Sequence, residues 1–440
     1  MVKTQGQTSR IVARGAPSNG YLRCLPSELI ARIIENLDLD SIKRFRLANR
    51  FTAAQCLIPP FLRFYSYQST SLTPWDLEHL IERTSSKPVS RAVKHITVHA
   101  TKFAALDCGN DDERLVAELA TALANVGTLG CLEISPQEKR FRKCETKRRR
   151  PKWQPADARE FQSEAARAGA GLTIVMSAVA HSGVSVNELK VFCSPVSYGS
   201  VVQTVFLTNL LPKLREKDSR FGAAVENMEK LSISLGTRRN PKEVPFRLGS
   251  YPIIPYLSAT DRRALAKENF PGLAGLLGYM QNLKMLEIHL HNTLKGKTFA
   301  YSEMFDLVAD QVKLPKLKQL TLDMVPVNEA SFLTFLANSP DIEDLSLRFV
   351  HIRQGSWESI LSKITNPLTK LQLDCISDDT RDSIKLWPDG LSRMQEEDLE
   401  VSHGDGEHVN ASSLDSAKNL YILYKRDFNT EDIRQGLVLR

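Results

Sequence analysis

The stretch Leu317-Lys318-Gln319-Leu320-Thr321-Leu322-Asp323 carries the pattern on which the fold of this 440-residue chain depends. Its three leucines follow the order apolar-x-x-apolar-x-apolar, so the last two alternate with polar residues. Alternation with a period of two is typical of a β-strand that buries one of its faces. The stretch therefore predicts a half-buried strand that contains Leu320 and Leu322.

The same hexad recurs along most of the chain, and helical patterns precede most of its copies at residues 115–123, 273–280, 332–336 and 360–364. One strand and one helix cannot bury their own apolar faces, whereas stacked units can. We therefore predict one mostly parallel sheet over residues 93–376, with helices on one side and strands in chain order. The apolar positions are Val93/Ile96/Val98, Leu129/Leu132/Ile134, Val186/Leu189/Val191, Met228/Leu231/Ile233, Leu283/Leu286/Ile288, Leu317/Leu320/Leu322, Ile342/Leu345/Leu347 and Leu368/Leu371/Leu373.

The repeat resembles the leucine-rich repeat over residues 93–377, and the resemblance implies an α/β fold in the form of an irregular right-handed solenoid. The last four units are spaced 34, 25 and 26 residues apart, whereas the earlier spacings of 36, 57, 42 and 55 require insertions. At the position where that family carries Asn, this chain has His291, Val325, Val350 and Ile376. A doubly wound α/β sheet is the alternative interpretation of alternating helices and strands.

Residues 21–68 are predicted to form a separate all-α module. Leu25-Pro26-Ser27-Glu28 is typical of a helix start. Leu29, Ile33 and Leu37 then recur every four residues beside Ile30 and Ile34, which makes a wide apolar stripe. A second helix is expected to be capped by Asp40 or Ser41 and to end before Pro59-Pro60. A few short helices cannot cover this many apolar residues, so a neighbouring domain or a partner must do so.

The order of residues in this module resembles the F-box: Leu-Pro-x-Glu-Leu from residue 25, then Ile33-Ile34, Leu37 to Ile42, Arg46-Leu47 and Arg50-Phe51. Phe51 stands where many F-boxes have Trp. Together with the repeats, the module suggests the fungal-type family of F-box proteins with irregular leucine-rich repeats. The resemblance implies docking on the Skp adaptor subunit, and through it on a cullin, by Leu25, Pro26, Leu29, Ile33, Leu37, Leu39 and Ile42. The alternative is a plain helical cap on the sheet.

Three further regions complete the predicted organisation. Residues 1–20 have the composition of a disordered tail, residues 69–92 form a linker helix with Thr73 as its cap, and residues 378–440 form a polar C-terminal region and cap. Residues 136–156 are expected to be a basic loop. Its stretch 139–152 has nine basic residues and one acidic residue, a net charge of +8, so the rest of the chain carries −1 of the total +7. A solvated loop, a nuclear import signal and a contact with an acidic protein or nucleic acid remain open for it.

Composition excludes several functional classes. The chain has no apolar run of about 18 residues, which argues against a membrane span. Seven scattered cysteines without a Cys-x-x-Cys pair favour the cytoplasm, the nucleus or both, and suggest no metal site. The charge is confined to one segment, which argues against nucleic acid as the main partner. No nucleotide or nucleophile motif was found, so we expect neither an enzyme nor a cofactor.

The function predicted from these features is that of a substrate-recognition adaptor of an SCF-type cullin–RING ubiquitin ligase. The alternative is a leucine-rich-repeat scaffold that binds proteins without ligase attachment. An unknown substrate protein is expected on the polar face of the sheet, because the apolar residues of each strand point away from that face. The candidate substrate-binding residues are His99, Glu133, Lys190, Glu287, His289, Asp323, Arg348 and Asp374.

Overall fold

The structure is a computed structural model that describes residues 25–48, 50–56, 59–100, 111–135, 155–193, 202–216, 219–236, 265–291, 301–366, 368–374, 376–378, 386–388, 425–428 and 437–439. These residues form a mixed α/β fold with a mostly parallel sheet, as predicted. The predicted tail at 1–20, residues 136–154 of the basic loop and most of 378–440 lie outside the described residues. Among the helices described, none is long and apolar enough to cross a membrane.

The chain begins with a group of short helices. These are α1 (Ser27–Glu35), α2 (Leu39–Ala48), α3 (Arg50–Gln55), α4 (Pro59–Leu62) and a 3₁₀ turn at Arg63–Tyr65. Asp38 caps α2, because its Oδ1 accepts a hydrogen bond of 2.7 Å from the backbone N–H of Ser41. The hydrogen bonds from Ser41 also lower the pKa of Asp38. The sequence argument had assigned this cap to Asp40 or Ser41, two or three residues too late.

One sheet carries the rest of the described chain. Its strands are β1 (Tyr67–Ser71), β2 (His95–His99), β3 (Thr128–Ser135), β4 (Ser185–Val191), β5 (Val202–Gln203), β6 (Lys230–Gly236), β7 (Met285–His291), β8 (Gln319–Asp323), β9 (Asp344–Arg348), β11 (Lys370–Asp374) and β14 (Lys425–Phe428). From β1 to β11 they are parallel and follow the chain order, with β5 beside β6, and β14 adds antiparallel to β11. In a doubly wound sheet the strand order reverses at one point, and no such reversal occurs among the described strands from β1 to β11. Two short strand pairs lie outside this sheet: β10 (His351–Ile352) with β12 (Ser377–Asp378), and β13 (Leu386–Pro388) with β15 (Leu437–Leu439).

The helices between the strands pack on one face of the sheet and share a single hydrophobic core with it. They are α5 (Pro74–Ser85), α6 (Lys87–Ala92), α7 (Asp111–Val126), α8 (Pro155–Ser182), α9 (Thr204–Leu214), α10 (Phe221–Val225), α11 (Pro271–Leu277), α12 (Ser302–Gln311), α13 (Glu329–Asn338) and α14 (Trp357–Lys363), with a 3₁₀ turn at Lys267–Asn269. The helices predicted near 115–123, 273–280, 332–336 and 360–364 correspond to α7, α11, α13 and α14. The 28-residue α8 was not predicted.

All 24 apolar positions of the eight hexads are buried, as predicted. In six hexads the first residue lies just before the strand, whereas Leu129 and Val186 lie within β3 and β4; the other two residues of each hexad lie in the strand and are buried. The residues in place of the family's Asn are apolar in the last three units, where Val325, Val350 and Ile376 are buried. At this position after the strands, neighbouring repeats are therefore joined by packing among apolar side chains.

The first strand was missed in the sequence, which placed a linker at residues 69–92. Tyr67–Ser71 contains only polar residues and Tyr, but it pairs in parallel with β2. Its inward residues Gln68 and Thr70 are buried. Gln68 is accommodated because its amide donates to the carbonyls of Tyr65 and Tyr67, at 3.0 and 3.1 Å. The predicted cap on the following helix is confirmed, since Thr73 Oγ1 accepts from the N–H of Asp76 at 3.2 Å.

A polar contact on the helical side joins the last two helices of this series. Glu329 at the start of α13 accepts hydrogen bonds from the Ser359 hydroxyl, from Lys363 Nζ at 2.9 Å and from the backbone N–H of Ser356 at 3.0 Å. The hydrogen bond from Ser359, followed by that from Lys363, lowers the pKa of Glu329 to about 2. Gly355 lies against this carboxylate with φ at +105°, a backbone conformation that favours glycine.

Candidate protein-binding surfaces

The first surface is an apolar stripe on α1. Ile30 and Ile34 on one side of this helix are buried, while Leu29 and Ile33 on the other side are 46% and 39% exposed. Pro26 is also exposed and is the N-cap residue of α1. Its carbonyl accepts the first hydrogen bonds of the helix, from the N–H groups of Leu29 and Ile30. We call Pro26, Leu29 and Ile33 the α1 stripe. The helix is therefore apolar on two sides, of which only one is covered.

A small core holds the α1 stripe in place and is separate from the core of the sheet. It consists of Ile30, Ile34, Ile42, Cys56 and Phe61, with the partly buried side chains Leu25, Leu37, Phe45, Phe51, Phe64 and Tyr65 around it. Arg46 covers it on one side, 4.9 Å above the ring of Phe61, and donates to Tyr65 Oη at 3.2 Å. Core packing thus fixes which side of α1 faces outward.

The structure separates six of the seven predicted adaptor-contacting residues into three groups. Pro26, Leu29 and Ile33 are exposed, and Leu25 and Leu37 are half-buried against the small core. Ile42 does not lie on the surface assigned to it, because it is completely buried in that core. It projects inward from α2 opposite Ile30 and Ile34, so a partner cannot reach it while the helices stay packed. The side chain of Leu39 lies outside what the structure describes.

The second surface is the polar face of the sheet, opposite the helices. Strand register aligns its side chains in rows that run across the strands. One row contains Glu133, Lys190 and Glu287, with Ser232 between the last two; the Ser232 hydroxyl donates to Glu287 Oε2 at 2.6 Å. A second row contains Ser234, His289, Asp323, Arg348 and Asp374 on successive strands. All eight predicted substrate-binding residues lie on this face.

Four of the eight form a charged cluster at the ends of β7, β8, β9 and β11. His289 Nδ1 is 3.2 Å from Asp323 Oδ2. Arg348 lies between the two carboxylates, with Nη1 3.7 Å from Asp323 Oδ2 and Nε 3.7 Å from Asp374 Oδ2. The Arg348 side chain is 44% exposed, whereas the side chains of Asp323 and Asp374 are each 10% exposed. We call His289, Asp323, Arg348 and Asp374 the charged quartet.

Three members of the charged quartet, His289, Arg348 and Asp374, line a polar depression of about 470 Å³ in the sheet face. Several residues that line it were absent from the predicted set. Four of them, Met285, Gln319, Asp344 and Lys370, occupy the position just before the second apolar residue of their hexads, where strand alternation also puts them on the open face. This third row was therefore readable from the sequence. The other three, Thr321, Ser346 and Gln372, continue the row of Glu287. The additional lining residues are Met285, Gln319, Thr321, Asp344, Ser346, Lys370 and Gln372.

The other predicted residues lie away from the charged quartet. Glu133 Oε2 accepts from Thr97 Oγ1 at 3.2 Å and is 3.2 Å from His95 Nε2. Lys190 pairs with Glu188 on its own strand at 3.2 Å. His99 is at the opposite end of the sheet, where its Nε2 is 2.8 Å from the hydroxyl of Ser69. The face therefore has two separate polar regions rather than one continuous site.

Phe192 interrupts the second row. Alternation placed it on the open face after Lys190, but its φ of +57° turns the backbone and its side chain is 2% exposed. Its N–H still bonds to the carbonyl of Ile134 at 2.8 Å, so the strand end stays attached to β3. Because Phe192 joins the core, the row from His99 does not continue to His289.

Two kinds of reactive group, thiols and potential metal ligands, can be described in the part of the chain that the structure covers. Burial raises the pKa of Cys131 to about 12 and of Cys193 to about 11, which keeps these thiols protonated and poorly nucleophilic. Among the side chains that the structure describes, no group of three His, Cys, Asp or Glu residues could hold a metal ion. The two surfaces therefore differ in character: the α1 stripe is apolar and exposed, and the sheet face is polar and charged.

No protein-family model matches this chain, and no curated protein matches it in sequence.

Proposed function

We propose that this chain is a non-enzymatic substrate-recognition adaptor of an SCF-type cullin–RING ubiquitin ligase. The N-terminal helices would be an F-box that docks on the Skp adaptor subunit. The sheet and its helices would be an irregular leucine-rich-repeat solenoid that holds a substrate protein on its polar face. Ubiquitin transfer would be carried out by other subunits, so the chain needs no catalytic group of its own.

The observation that carries this proposal is the exposure of apolar side chains on α1. Five large apolar residues are strongly exposed in the described part of the chain, and three of them, Leu29, Ile33 and Leu47, belong to α1 and α2. Leu29 and Ile33 are neighbours one turn apart on the same helix, and exposed apolar surface shared by neighbouring side chains is typical of a protein-binding site. The resemblance of the same residues to the F-box supplies the identity of the partner.

The arrangement of the sheet supports the second half of the proposal. In the described part of the chain the strands from β1 to β11 run parallel in chain order with helices on one face, and the opposite face carries the rows of polar side chains. Repeat folds of this kind use such extended surfaces for protein binding. A scaffold without ligase attachment would also have this open face, but would not need the α1 stripe to be exposed.

Co-precipitation of the full chain with a purified Skp adaptor tests the proposal. Wild-type protein should bind the adaptor, and the variant Leu29→Ala/Ile33→Ala should not. Trp75→Ala is the matched control, because Trp75 is 67% exposed but lies on α5, outside the helical module. Failure of the wild-type chain to bind the adaptor would reject ligase attachment and leave the scaffold.

A further inference from the structure

The polar depression at β7, β8, β9 and β11 has an excess of negative charge. Glu287, Asp323, Asp344 and Asp374 face two cations, Arg348 and Lys370, on this part of the open face. The earlier strands are balanced, with Glu133 and Glu188 against Lys190 and Lys230.

Asp374 is the least compensated of these carboxylates. It lines the depression and is 8% exposed. Within the described residues its Oδ1 has no hydrogen-bond partner, and its Oδ2 is 3.7 Å from Arg348 Nε, beyond hydrogen-bond distance. A buried carboxylate without hydrogen bonds is costly, because nothing replaces the water it has lost. Additional positive charge in the depression would reduce that cost.

Asp323 has a similar environment on the other side of Arg348. Its Oδ2 has His289 at 3.2 Å and Arg348 at 3.7 Å, while its Oδ1 has no hydrogen-bond partner in the described part of the chain. One guanidinium is thus shared between two nearly buried carboxylates and bonds closely to neither. Because Arg348 is flanked in this way, the depression attracts cations more than anions.

We infer that this depression binds a segment rich in lysine or arginine on the protein held by the sheet face. The inference rests on the proposed function, since it names the substrate class of that face. A long basic side chain suits the site, because its apolar stem can lie along Met285 and Thr321 while its charged end approaches the carboxylates.

The test uses the full-length chain and two fluorescein-labelled twelve-residue peptides of glycine and serine. One carries four arginines and the other four glutamines at the same positions. Fluorescence anisotropy should show binding of the arginine peptide only, weakening as salt is added. The net charge of +7 on the whole chain opposes this binding, so any binding observed must be local. Equal binding of both peptides would overturn the inference.

Variants locate the site. Asp323→Asn/Asp374→Asn should weaken binding of the arginine peptide about tenfold, because two charge contacts are lost without a change of shape. Glu133→Gln, on the other part of the same face, should change it less than about twofold, since exposed charges at this distance are screened. Unchanged affinity in the double variant, or an equal loss in Glu133→Gln, would contradict the assignment.

A second variant guards against misfolding of the first. Thr321→Lys adds a cation to the lining of the depression and removes no buried carboxylate, so it should also weaken binding of the arginine peptide by about tenfold or more. Unchanged affinity in this variant would overturn the inference. Adaptor binding is measured on the same proteins. Loss of peptide binding with intact adaptor binding concerns only the sheet face. A wild-type chain that binds the peptide but not the adaptor would retain this inference and refute ligase attachment.

Discussion

Truncation of Leu29 and Ile33, two of the three exposed residues of the α1 stripe, should strongly weaken adaptor binding without unfolding the chain. Leu29 and Ile33 are 46% and 39% exposed, which corresponds to roughly 170 Å² of surface in total and, at about 25 cal/mol per Å², to at most ~4 kcal/mol on complete burial. Truncation to alanine removes most of this area. We expect the variant Leu29→Ala/Ile33→Ala to lose about 2–4 kcal/mol of binding, or roughly 30- to 1000-fold in affinity.

The fold should tolerate this double variant. Alanine is the best helix-forming residue, and neither side chain belongs to the small core, so the free energy of unfolding should change by about 0.5 kcal/mol or less. Ile34→Ala gives the contrast, because Ile34 is completely buried and its truncation should cost about 2–5 kcal/mol. Calorimetric titration with the Skp adaptor, beside a thermal melt, measures both quantities. Adaptor affinity that falls less than threefold, with an intact melt, would refute the docking surface.

Three further predictions concern stability. Glu329→Gln should lower the free energy of unfolding by about 1–2 kcal/mol at neutral pH. Because the pKa of Glu329 in the folded chain is lowered to about 2, its carboxylate stabilises the fold fully above its ordinary pKa near 4.5, and this stabilisation is lost as the pH falls toward 2. Denaturant melts of wild type and variant should therefore converge near pH 2. Gly355→Ala should lower the melting temperature more than Gly127→Ala. Both glycines have positive φ, but only at Gly355 would the new Cβ collide with another side chain, that of Glu329. Equal melting temperatures of the two variants would refute this reasoning. Deletion of residues 139–152 should shift the melting temperature by about 2 °C or less, because their composition predicts a loop without core residues, and a large loss in a thermal melt would show that they pack.

Much of the sheet was predictable because each hexad is a local pattern. Alternation within Leu320-Thr321-Leu322 is enough to assign one side chain to the open face and two to the core, whatever the neighbouring strands are. The eight predicted substrate-face residues follow from the same rule and all lie on that face. Their role in binding remains a prediction.

The features that sequence reasoning missed depend on contacts between distant residues. Tyr67–Ser71 is a strand because β2 lies beside it, and its own residues carry no apolar alternation. Phe192 leaves the open face because a positive φ lets it enter the core. Ile42 and Ile33 have equal hydropathy, but the packing of α2 on α1 buries the first and leaves the second exposed.

The sequence by itself determined which residues are apolar, their spacing, and hence the strand pattern and its open face. Only the tertiary structure decided which apolar residues remain outside the core, and that Asp323, Arg348 and Asp374 lie side by side although about 25 residues separate each from the next. The physical reason is that periodicity acts within one strand or helix. Burial and charge compensation depend on which elements pack together, and these come from distant parts of the chain.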